Sequence, residues 1–129
     1  MKKLHLISVF LMMLMANMSI AQSLKVELIK EENHYVKTLD DGKVSCNFYI
    51  TGIQSEQQAK NLEKYIQGYR GVENFSLTFD SSSSKYLAQG LFYKFADVNY
   101  FKYLFTIMKV EQVFKDNTWI KIEQLNNLQ

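Results

Sequence analysis

Residues 45–59 read SCNFYITGIQSEQQA, and the hydrophobic period changes within them. From Ser45 to Thr51 the side chains alternate: Cys46, Phe48 and Ile50 point one way, and Ser45, Asn47, Tyr49 and Thr51 the other, the period of a half-buried strand. After Gly52-Ile53, the run Ser55-Glu56-Gln57-Gln58 has capping-box spacing, with a hydroxyl and an amide able to satisfy N–H groups that the first helical turn leaves free. Ala59, Leu62, Ile66 and Tyr69 then recur at helical spacing. The pattern predicts a helix over about 56–70, with Gly71 placed to end it in the left-handed conformation.

Working outward, Val72–Phe79 alternates again, with Phe75, Leu77 and Phe79 opposite Asn74, Ser76 and Thr78, which predicts a second strand. Asp80 and the serines at 81–84 predict a turn, and a less regular strand follows from about Tyr86 to Phe95, with Gly90 marking a bulge. Asp97 is placed to cap a second helix with the stripe Val98, Phe101, Leu104, Phe105 and Met108. A strand over Val110–Phe114, a turn at Asp116-Asn117 and a strand over Thr118–Glu123 complete the series. Each helix is followed by Val-Glu-x-apolar, at Val72-Glu73-Asn74-Phe75 and at Val110-Glu111-Gln112-Val113, a weak internal echo. The order strand, helix, strand, strand, helix, strand is that of a ferredoxin-like α+β sandwich, an antiparallel sheet with both helices on one face. This core is expected over residues 44–129. Upstream, Lys25–Lys30 and His34–Leu39 also look strand-like, joined to the core by a turn at Asp40-Asp41-Gly42. Residues 22–43 are therefore expected to add a β-hairpin to the sheet or its edge.

The first 21 residues have the form of a secretory signal peptide: Lys2 and Lys3, an apolar run from Leu4 to Ala16, and Ser19-Ile20-Ala21 as the cleavage site. The apolar run, interrupted by His5 and Ser8, is shorter than the roughly 20 residues of a spanning helix. No cysteine follows the cleavage site to carry lipid, so no stable membrane anchor is expected after processing, and the location is periplasmic or secreted. Cleavage removes two of the 15 Lys and Arg residues and none of the 13 Asp and Glu, which balances the mature charge. A nucleic-acid partner, which needs a basic stripe, is therefore excluded. Roughly 108 residues remain, enough for one domain. Its stability must come from burial, because the lone Cys46 cannot form an internal disulfide.

Residues 46–79 resemble the heavy-metal-associated domain, the small copper and mercury carrier. In that family a strand ends in Gly-Met-x-Cys-x-x-Cys and leads into a helix that closes with Gly-Val. The corresponding residues here are Gly52-Ile53-Gln54-Ser55-Glu56-Gln57-Gln58 and Gly71-Val72. The resemblance implies the ferredoxin-like fold and places Ser55 and Gln58 where the family keeps its metal thiolates. A hydroxyl and an amide do not replace thiolates for a soft ion. Two further runs, Phe48–Ile53 and Gly90–Phe95, loosely resemble the aromatic strand motifs of RNA-recognition domains, but export and charge balance argue against RNA. That comparison suggests instead that Tyr49 and a third-strand aromatic, Tyr93, lie on the helix-free sheet face. There they would form a contact surface for a protein or peptide, or be covered by the N-terminal hairpin.

Other candidate side chains each have a plain structural reading. Cys46 shares the apolar face of its strand and reads as a buried hydrophobe, with ligand or redox group as the alternative. His34 follows Glu31-Glu32 and reads as solvent-exposed, with a weak metal site as the alternative. Ser55 has no histidine near it in sequence and reads as a helix cap rather than a nucleophile. Glu31-Glu32 and Asp40-Asp41 read as solvated charge. With no catalytic constellation and no cofactor motif, the chain is expected to be a non-enzymatic binding or interaction domain with a protein or peptide partner in the cell envelope. The alternative is residual metal-ion binding through Cys46, His34 or Met108.

Overall fold

The computed structural model describes residues 23–129, so the expected signal peptide over residues 1–21 lies outside the described residues. Among the described residues the fold is α+β, with seven strands in one mixed sheet and two helices. The strands are β1 (Leu24–Leu28), β2 (Val36–Thr38), β3 (Val44–Thr51), β4 (Val72–Asp80), β5 (Lys85–Phe92), β6 (Val110–Lys115) and β7 (Thr118–Lys121). The helices are α1 (Glu56–Gln67) and α2 (Val98–Ile107), and a 3-10 turn (Ile122–Gln124) follows β7.

The alternation of residues 45–51 is realised in β3, where Val44, Cys46, Phe48 and Ile50 are buried and the intervening side chains are half-buried. The strand order is β4-β5-β3-β1-β6-β7, with β2 also paired to β3. The N-terminal segment therefore joins the middle of the sheet and not its edge. β1 runs antiparallel to β3, with Val26 opposite Ile50, and parallel to β6, with Val26 opposite Val113. β3 and β6 are consequently not neighbours, whereas a four-stranded core of the expected order needs no strand between them. The reason lies in composition: Leu24, Val26 and Leu28 give β1 a fully apolar face, which a place in the middle of the sheet sets against the core, while the strands on both sides satisfy its backbone. β2 continues along the same side of β3 after an excursion through residues 29–35, and Tyr35 and Val36 donate their N–H groups to the Leu128 carbonyl of the returning C-terminal tail.

Both helices pack on the face that carries Phe48. In the shared core Phe48 meets Phe105 edge-on at 5.4 Å and Phe92 meets Phe101 at 5.0 Å, while Ile66 of α1 is fully buried among them. Each such ring removed from water contributes roughly 2–3 kcal/mol, and edge-on pairing adds about 1 kcal/mol.

Several boundaries differ from the sequence reading. α1 stops at Gln67, capped by Gly68, so Gly71 does not end the helix. Its left-handed backbone (φ +85) turns the chain into β4 instead. β5 stops at Phe92 and keeps a regular register through Gly90, which lies opposite both Cys46 and Phe75. A Cβ at Gly90 would lie 2.5 Å from the Phe92 ring, so the glycine makes room for that ring. The irregularity falls in β4, between Val72 and Asn74. The last strand ends at Lys121, where the 3-10 turn takes over.

Candidate functional site

The corner between β3 and α1, where the metal-carrier resemblance places its ligands, is occupied by helix capping. The Ser55 hydroxyl accepts the Gln58 N–H at 3.1 Å, and the Gln58 side-chain oxygen accepts the Gln54 N–H at 2.7 Å. The capping pair thus reaches one residue further back than a simple capping box. Neither group suits a soft metal, and among the described residues no sulfur joins them. Cys46 lies five residues before the end of β3, roughly 16 Å back along the strand. It is buried, and loss of hydration, with a lesser effect of the Glu31 charge, pushes its thiol up to about 12. Met108 is buried at the C-terminal end of α2, and His34 is exposed beside Glu31, with which it exchanges backbone hydrogen bonds. Among the described residues no three His, Cys, Asp or Glu side chains are arranged to hold a metal ion.

Tyr49 and Tyr93 are not brought together. Tyr49 is half-buried on the helix-free face, in a cross-strand row that runs Trp119, Phe114, Glu27, Tyr49, Leu87, Thr78. Glu27 accepts a 2.6 Å hydrogen bond from Lys85, whose ammonium sits 5.8 Å from the centre of the Tyr49 ring. β1 lies in the plane of the sheet, so the strand that begins the N-terminal segment does not cover this face. Tyr93 lies just beyond β5 and packs instead on Tyr100 (5.1 Å) and Phe95 (6.1 Å).

That packing belongs to a hollow of about 300 Å³ lined by Tyr69, Arg70, Tyr93, Phe95, Asp97, Tyr100 and Tyr103. Three local structures build it. The turn after α1 presents Tyr69 and Arg70. The segment between β5 and α2 presents Tyr93 and Phe95. Asp97 caps α2 by accepting the Tyr100 N–H at 3.0 Å, which sets the position from which Tyr100 and Tyr103 project. The floor is Tyr100, whose hydroxyl donates to the Arg70 carbonyl at 2.8 Å. Gly71 permits this approach, because a Cβ there would lie 2.9 Å from both the Tyr100 and the Tyr93 rings. Burial, with the neighbouring Tyr93 and Tyr69 hydroxyls, pushes Tyr100 up to about 12. Loss of hydration and a hydrogen bond with Tyr103 raise Tyr69. Both stay neutral phenols at physiological pH.

The rim carries large aromatic rings that remain in contact with water. Phe95 is 77% exposed, Tyr103 61% and the adjacent Tyr65 58%, while Tyr69 and Tyr103 hold their rings 6.2 Å apart. Of these residues the sequence reading offered only Tyr93 as a contact residue, with Tyr69 read as part of a helix stripe and Asp97 as a helix cap. The available signals were an aromatic in the polar turn Lys94-Phe95-Ala96-Asp97, tyrosines 65 and 103 off the apolar stripes of their helices, and the only arginine of the chain at position 70. Compared with protein-family models, curated proteins and solved structures, the chain matches none of them.

Proposed function

We propose that this is an exported, non-enzymatic interaction module of the cell envelope that grips a protein or peptide partner through the tyrosine-rich hollow. The observation that carries the reading is the exposure of Phe95, Tyr103 and Tyr65 around Arg70. Large rings left in water forfeit hydrophobic free energy that the core uses elsewhere, and tyrosine, with its two side-chain torsions, and arginine dominate binding hot spots. The leader-like N-terminus supports export. The fold reading that goes with it is a ferredoxin-like βαββαβ unit in which β3, α1, β4, β5, α2 and β6 are the six parts, opened between β3 and β6 to admit β1. Both helices lying on one face supports that derivation, as does the Val-Glu-x-apolar echo at the start of β4 and β6.

Site-specific photocrosslinking in the cells that make the protein tests the contact surface. With the photoreactive residue at Phe95 or Tyr103, discrete adducts are expected, and none at Gln57 on the outside of α1 or Gln89 on the helix-free face. Adducts absent from the hollow, or equal at all four positions, overturn the reading.

A further inference from the structure

We infer, resting on the contact reading above, that the partner presents a short acidic-apolar peptide segment, with a carboxylate on Arg70 and the neighbouring apolar side chain among Tyr69, Tyr93, Phe95 and Tyr103. Charge selects the carboxylate. Arg70 is exposed and is the only arginine in the sequence. It makes no ion pair among the described residues, and although seven lysines share that condition, Arg70 is the cation that lines the hollow. The one acid in the hollow, Asp97, is engaged at the N-terminus of α2, whose dipole offsets its charge. The hollow therefore offers a guanidinium fork beside neutral phenols, a pairing suited to a planar carboxylate.

Size and shape select a peptide over a free small molecule. About 300 Å³ lies at the lower limit of ligand pockets and accommodates one or two side chains. The aromatic surface does not stop at the hollow: Tyr65, exposed on the last turn of α1 and close enough to Tyr69 to interact with it electrostatically, carries it outward along the helix, where only a longer chain gains by contacting it. The site is also preorganised. The hydrogen bond from Tyr100 to the Arg70 carbonyl fixes the backbone of the turn that presents the guanidinium, and the Tyr93–Phe95 and Tyr69–Tyr103 ring contacts set the walls, so the ordering left to binding is that of exposed side chains and not of the chain itself.

The test is a chemical-shift titration of the protein, as its cells process it, with blocked peptides containing Phe-Asp or Asp-Phe, their Phe-Asn and Asn-Phe analogues, and free 3-phenylpropionate. The acidic peptides are expected to shift Arg70, Phe95 and Tyr103 and to bind about tenfold more tightly than the amide analogues, the effect of one charge-assisted hydrogen bond. Added salt should narrow that margin, and Arg70→Lys, which keeps the charge but loses the fork, should remove most of it. Equal affinity for acid and amide peptides overturns the inference, as does phenylpropionate binding as tightly as the peptides. Absence of any peptide-induced shift also overturns it. If photocrosslinks at Phe95 persist in those cases, the contact surface stands without this occupant; if they are lost too, both readings fall.

Discussion

Asp116 and Asn117 both have positive φ, 54 and 63, and form the two-residue turn between β6 and β7 that matches the twist of a hairpin. Asp116 is also tied to residues distant in sequence. It accepts a 2.8 Å hydrogen bond from the Tyr35 hydroxyl, returns its own N–H to that oxygen at 2.9 Å, and pairs with Lys115 at 2.9 Å. The Lys115 hydrogen bond first, and then that from Tyr35, hold its carboxyl below the usual carboxylate range. Because the folded form binds that proton less readily than the unfolded form, the stabilisation is complete above the ordinary carboxylate pKa of about 4 and is lost as pH falls through the lower folded value. Asp116→Asn keeps a residue that tolerates the turn and removes the charge, so urea midpoints should decline less steeply for the variant than for the parent below about pH 4. Cys46 gives a second test at this scale. A buried thiol pushed up to about 12 exposes almost no thiolate, so alkylation in native buffer should require opening of the fold and accelerate with denaturant. Rapid labelling of the folded protein would contradict the placement.

At the scale of elements, β4 is an edge strand, with β5 on one side and α1 folded along the other. Its outward backbone groups are met by helix side chains: Glu63 accepts the Leu77 N–H at 2.7 Å, and Gln67 donates to the Phe75 carbonyl at 2.9 Å. This arrangement occupies two of the backbone groups that an added strand would need at this edge. It also couples α1 to β4 more tightly than its modest buried stripe, Ala59 and Ile66, would alone. Glu63→Ala should lower stability by about 1–3 kcal/mol, the range for a half-buried hydrogen bond to a charged acceptor. It should also raise self-association in sedimentation measurements, because the freed Leu77 N–H seeks a new acceptor. A monomeric variant of unchanged stability would show that the helix merely lies beside the strand.

For the whole molecule, the position of β1 is decisive. Val26 is fully buried between Ile50 and Val113, so the first described strand pairs with segments from the middle and the far end of the chain. Val26→Ala should lower stability by about 2 kcal/mol, whereas Phe95→Ala, on the rim, should change it by under about 0.5 kcal/mol; chemical denaturation distinguishes the two. Pairing of such distant segments is also slow to form, so refolding should be slower than for a domain of local contacts. The strand at 45–51, the capped starts of both helices at Ser55 and Asp97 and the turn at Asp116-Asn117 were all legible in the sequence, because periodicity, capping and turn chemistry act between residues a few positions apart. Helix and strand ends at Gln67, Phe92 and Lys121 were less legible, since packing around Gly71 and the C-terminal turn decides them. Tertiary structure alone decided that β1 divides β3 from β6 and that Arg70 gathers rings from positions 69 to 103. Strand order minimises the exposed apolar area of all strands together, and a surface hollow is defined by which distant side chains that order leaves uncovered.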